Sequence, residues 1–419
     1  MLKTLAARPQ LVLLATQVLC EGSAFLRNII LARMIGVEDM GLAVALSLGI
    51  RFIEMAGDFG LERLLVQVQP VELPAMRRTV HLLQLIKGCV LAAVAILLAA
   101  PVTALLDAAL SPGIFALAAL SLALRGAVNC DYRERQRHQE FMPTLVVEGG
   151  SNLIGALAVA PLAWLTRDYS ALAFASLMQA ALLCTFSQVV ATRRLALGLD
   201  RKAVERCLRY GLPIALNGVL MFLALQGDRV IVALHFPSQE LARFALAAQL
   251  TLLPALIGAR YILASALPRL ARLVDDPVAF SHQESTLLLR STVAAAGGVL
   301  LFGIFGNPIV SLLYGSAYVM APEVFWVLAL AAGVRLIRAV PGTSLLAFER
   351  THWLFVSNLP RILTLLLAFI IAGKGGDLLM ITLIAAAGEV SSLAITVFAA
   401  ASARSSSPAP QLRCAAGGI

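Results

Sequence analysis

The chain has 419 residues, 60% of them hydrophobic and 14% charged, with a mean hydropathy of +0.87 and a formal net charge of +9. Soluble domains carry roughly a quarter charged residues, so lipid solvates most of this chain and a soluble globular protein is excluded. The positive balance does not imply nucleic acid as a partner, because the basic residues gather on alternate connections between apolar segments and no aromatic–basic module accompanies them.

A membrane crossing needs roughly 20 mainly apolar residues, and the chain offers about twelve such segments. In order they lie near Pro9–Arg33, Glu38–Glu62, Val80–Leu105, Ile114–Cys130, Phe141–Leu165 and Ser170–Thr192. The series continues near Leu208–Leu234, Glu240–Leu267, Leu287–Leu313, Glu323–Leu346, Trp353–Ala372 and Leu378–Ala401. Lys3 and Arg8 before an apolar run outline a signal peptide, but the run continues through Glu21 and Arg27 with no convincing cleavage site. It reads as a retained helix. The stretch Leu195–Arg209 is basic and amphipathic and is expected to lie along the membrane surface as a linker. Residues 402–419, small and polar, are expected to form a disordered tail.

The first hairpin, Arg27–Arg33 followed by Gly36-Val37-Glu38-Asp39-Met40-Gly41, has an echo 201 positions later. There Asp228–Ala233 precedes Pro237-Ser238-Gln239-Glu240-Leu241-Ala242. Repeats of this kind are common in transporters, with the substrate passing between them. The expected fold is therefore all-α, with about twelve transmembrane helices in two six-helix lobes, residues 1–200 and 201–401. Arg77-Arg78, Arg133/Arg135/Arg137, the Arg193–Arg209 cluster, Arg269/Arg272 and Arg350 fall on one side with both termini, which marks that side as cytoplasmic.

Ionisable groups inside a span are costly and so are candidates for function. By depth Arg51, Arg260 and Arg335 fall nearest the middle, Arg27 nearer the outer surface, and Lys87, Arg125, Arg338 and Arg361 nearer the cytoplasm. The acids are Glu21, Glu54, Asp58, Glu148, Asp228 and Glu389. Arg51, Glu54 and Asp58 share one helix face. They form either a hydrated stripe with Arg51 gripping phosphate, or a self-neutralised Arg51–Glu54 pair between helices. Arg260 and Arg335 have no acid one turn away and must find a charge on another helix or in a ligand. Snorkelling to the surface is the expectation for Lys87 and Arg361. Glu38-Asp39 opens a helix, where acids suit the dipole; a gate contact is the sharper reading for Asp39. Gly149-Gly150 permits close helix approach or a bend, and Pro213, Pro308 and Pro341-Gly342 are candidate hinges. The cysteines and histidines show no metal or redox spacing, and Gly373-Lys374-Gly375-Gly376 lacks the ending of a phosphate-binding loop. No metal, cofactor or catalytic constellation is expected.

The order of several fragments resembles the polysaccharide-type flippases of the multidrug/oligosaccharidyl-lipid/polysaccharide exporter superfamily. The fragments are Leu31–Gly41, Asp58-Phe59-Gly60-Leu61-Glu62, Arg209-Tyr210-Gly211-Leu212-Pro213 with Gly227–Ile231, Asn307–Gly315 and Leu328–Ala331. The second hairpin departs from the pattern: Phe236-Pro237 and Ala242 replace expected glycines. The resemblance implies a V-shaped, alternately opening cavity in a bacterial inner-membrane protein. It also implies a polyprenyl-diphosphate-linked oligosaccharide as cargo, for lipopolysaccharide or exopolysaccharide, with glycan polymerase and export machinery as further partners. Arg51, Arg260, Arg335, Arg27 and Arg338 are then the candidate cargo ligands, and Glu21, Glu54, Glu389 and Asp39 the candidates for ion coupling or gating. The rival readings are a drug/cation antiporter of the same superfamily, a lipid II transporter, and a membrane glycosyltransferase or polymerase.

Overall fold

In lipid a backbone must satisfy its own hydrogen bonds, and each of the twelve apolar segments accordingly folds as helix. The computed structural model describes residues 9–107 and 109–405. The first six segments become α1 Pro9–Met34, α2 Val37–Ala56 with α3 Leu61–Gln67, α4 Leu73–Leu97 with α5 Ala99–Leu106, α6 Pro112–Gly126 with α7 Asp131–Glu134, α8 Met142–Thr166 and α9 Ser170–Val190. The other six become α10 Arg201–His235, α11 Ser238–Arg272, α12 Pro277–Leu313, α13 Pro322–Ala347, α14 His352–Gly373 and α15 Leu378–Ser405. Among the described residues nine helices are long and apolar enough to cross a membrane. The count rises to eleven when α2–α3, bent by 42°, and α6 with Asp131–His138, bent by 55°, are each taken as one crossing. α1 is 26 residues long and supplies the twelfth unit.

Short aspartate caps start several helices. Asp200 accepts the Ala203 amide at 2.8 Å, Asp276 the Val278 and Ala279 amides at 3.2 and 3.0 Å, and Asp377 the Met380 amide at 2.8 Å. The α2–α3 bend has its own cause: Gly60 sits at φ +58, and its amide donates to Asp58 Oδ1 at 2.9 Å. Pro213, Pro308 and Pro341 all lie inside continuous helices, so none of them breaks its span.

The described residues form two compact units. The first runs to Gln226 and adds Phe236–Arg243; the second is Gly227–His235 with the residues from Phe244 onward. In the first, α1 packs on α8, α8 on α9, α9 on α6 and α6 on α4; in the second, α13 packs on α12 and α15, and α15 on α14. The expected surface linker is replaced by something tighter. Thr192 donates twice to Asp131 Oδ2 at 3.0 Å, Asn129 Nδ2 donates to the Arg193 carbonyl at 3.0 Å, and the Asp200 amide donates to Thr79 at 3.2 Å. From Arg201 the chain is already α10, whose Ala203 and Cys207 are buried beside Leu61, Leu65 and Met76. Ala203 and Cys207 of the amphipathic stretch thus face protein, while Leu197, Leu199 and Leu208 stay exposed. Residues 402–405 of the expected tail are helical: α15 runs through them, and Arg404 pairs with the buried Glu284 at 2.7 Å. The rest of the expected tail, 406–419, lies outside the described residues.

Candidate functional site

Inside the first unit α1, α2, α3, α4, α6, α8 and α9 enclose a cavity of about 890 Å³. Arg51, Glu54 and Asp58 all line it, as their shared helix face requires. Their pairing is not the local one. Arg125 of α6 takes Glu54 at 3.0 Å, and Arg51 has no ion-pair partner among the described residues. Asp58 holds the Gly60 turn and is structural. Arg27 joins the lining from α1, and Lys87 joins it from α4.

A second cluster on the same wall escaped the sequence reading. Arg133, counted there as a connection residue, bridges two carboxylates: its Nε reaches Glu62 at 3.1 Å and its Nη2 pairs with Glu148. The Tyr132 hydroxyl donates to Glu148 Oε1 at 3.1 Å, and Gln84 donates to Glu62 Oε1 at 3.0 Å. Glu148 stands on a π turn, Leu145–Gly150, inside α8. Such turns recur at functional sites. The adjacent Gly149 allows α1 to approach, since a Cβ there would meet the Leu19 side chain at 2.7 Å. The Glu148-Gly149-Gly150 run was the signal that could have found this cluster.

Of the other candidates, Glu21 does not line the cavity, and Asp39 stands in the first turn of α2. Arg260 is exposed on α11. Arg335 finds the charge it needs on another helix, Glu389 of α15. Arg361 does not snorkel: it is 7% exposed and pairs with the same Glu389 at 2.9 Å. A buried partner outweighs the reach to the surface. Arg338 bonds Ser392 and, at 3.0 Å, Asn358. No group of His, Cys, Asp and Glu able to hold a metal exists among the described residues.

A family model described as "Polysaccharide biosynthesis protein" matches residues 30–322. The chain belongs to this family. No curated protein matches it. Among solved structures, the fold is similar to that of "Lipid II flippase MurJ, inward closed conformation", with TM-score 0.73 at 15% identity over 93% of this chain and 87% of that one. It is also similar to a multidrug resistance MATE family transporter of the MOP superfamily in an inward-facing conformation, with TM-score 0.67 at 12% identity over 93% and 94% of the two chains. A eukaryotic MATE transporter follows, with TM-score 0.56 at 14% identity over 97% of each chain. The family member described here is thus a multi-pass helical membrane protein with the fold of flippases and multidrug transporters.

Proposed function

We propose that the protein moves a polyprenyl-diphosphate-linked oligosaccharide across the bacterial inner membrane by alternating access, for cell-surface polysaccharide biosynthesis. The observation that carries this reading is the cavity of the first unit. It is polar, about 890 Å³ in volume, and presents six basic against four acidic side chains, with Arg51 in no ion pair among the described residues. A diphosphate headgroup has to pass roughly 30 Å of hydrocarbon, where an unpartnered charge is prohibitively costly. A guanidinium facing a wet cavity offers a planar donor fork for it. In this reading Arg27 assists Arg51 within the first unit. The tail stays in lipid. The basic surplus argues against a cationic drug as cargo, which calls for an acid-dominated cavity.

The test is surface glycan output, or headgroup translocation in reconstituted vesicles, at matched protein levels. One charge-assisted contact is worth about 1.5–3 kcal/mol, so Arg51→Ala should slow transport roughly 10-fold or more. Arg51→Lys keeps the charge without the fork and should rescue in part. Normal transport by Arg51→Ala would remove Arg51 from the headgroup site.

A further inference from the structure

In the second unit three arginines crowd one carboxylate. Arg335 on α13 donates Nε at 3.1 Å, and also Nη2, to Glu389 Oε1; Arg361 on α14 donates Nε to the same oxygen at 2.9 Å. Arg338, one turn along from Arg335, reaches only the neutral groups of Ser392 and Asn358. The arrangement is incomplete on both sides. Glu389 Oε2 and Arg335 Nη1 are buried without a hydrogen-bond partner, and Glu389 is only 4% exposed. Asp228 lies close enough to act on Arg361, yet three positive charges still face two negative ones. A buried surplus of charge is costly unless an ion of opposite sign joins it. A single carboxylate oxygen cannot serve three forks; a tetrahedral oxyanion presents oxygens in several directions and can.

We propose that this cluster is an anion site for a phosphate or diphosphate group, and that Glu389 is the internal anion that holds the arginine forks until the ligand displaces it. Arg361 is then a ligand of the headgroup, and Glu389 a positioning residue that sets how readily the site accepts it. The assignment rests on the reading of the cargo as a lipid-linked diphosphate. Exchange of one anion for another keeps the buried charge balanced throughout, which release of Glu389 into an empty site would not.

The probe is inorganic pyrophosphate, and the readout is its stabilisation of the detergent-solubilised full chain against thermal unfolding. Arg51→Ala serves as the parent, so that the cavity of the first unit does not dominate binding. Glu389→Gln removes the competing charge at constant shape and should raise the apparent pyrophosphate affinity roughly 10-fold, the equivalent of one charged hydrogen bond. Glu389→Asp keeps the charge but withdraws it by one methylene, and should give a smaller gain. Adding Arg361→Ala to Glu389→Gln should abolish the gain. Unchanged affinity in the Asp variant and, where it accumulates, the Gln variant overturns the proposal, as does a gain that survives loss of Arg361. Transport by the unsubstituted chain reports separately on the cargo: no translocation of a lipid-linked diphosphate headgroup in reconstituted vesicles, with the Glu389 effect intact, would sink the headgroup reading and leave the anion site standing.

Discussion

Arg77 and Arg193 share the carboxylate of Glu134, each at 2.6 Å, but their side chains are 15% and 55% exposed while that of Glu134 is 8% exposed. Exposure decides which contact stabilises the protein. Removing one partner of a buried pair costs about 3–5 kcal/mol, whereas an exposed ion pair contributes about 0–1 kcal/mol. Arg77→Ala should therefore lower the unfolding midpoint in detergent clearly and Arg193→Ala only slightly; equal losses would show that the second contact is as buried in effect as the first. The same distinction separates the cargo candidates. Arg51 faces the cavity with no ion-pair partner among the described residues, so its replacement should spare folding, while Arg335 holds up half of a buried pair and its replacement should affect accumulation as well as transport.

Between helices, one close approach in the first unit is made by two glycines. A Cβ on Gly88 of α4 would lie 2.7 Å from Gly126 Cα, and one on Gly126 of α6 would lie 2.7 Å from the Gln84 carbonyl oxygen. Small residues at such a crossing let backbones touch, a main source of helix association in lipid. Both glycines also line the cavity, so the contact sets its wall. Gly88→Val should force α4 and α6 apart at a cost of about 1–3 kcal/mol. It should reduce both membrane accumulation and thermal stability, and a variant as stable as the parent would mean that the wall gives way freely. By contrast Gly297 has open space around its Cβ position, so Gly297→Ala is the matched control and should be tolerated.

For the molecule as a whole, the one-sided arginines predict that both termini and the connections carrying Arg135 and Arg201 are cytoplasmic. Single cysteines introduced there, in a background lacking the native ones, should stay unlabelled by an impermeant thiol reagent in intact cells and react after permeabilisation. Labelling from outside would reverse the topology. The echo at 201 residues carries a second expectation, that residues 1–200 and 201–401 superpose helix by helix. α10 complicates the boundary, because its residues through Gln226 cluster with the first unit and Gly227–His235 with the second.

Hydropathy alone located the twelve helical segments, because lipid permits little besides helix wherever some 20 apolar residues run together. Helix periodicity likewise placed Arg51 and Glu54 on one cavity face, since i, i+3 neighbours cannot diverge. The partners of those charges were beyond its reach. Glu54 lies three residues from Arg51 yet bonds Arg125, 71 residues away, and Arg335 bonds Glu389 at a separation of 54. The stretch Leu195–Arg209 reads as a surface linker because pattern cannot tell a face turned to lipid headgroups from one turned to Thr79 and the buried Met76 cluster. Arg133 was read as a topology signal for the same reason. Only packing decided that a guanidinium beside a connection would turn inward to meet Glu62 and Glu148, where desolvation makes two carboxylates worth more to it than water.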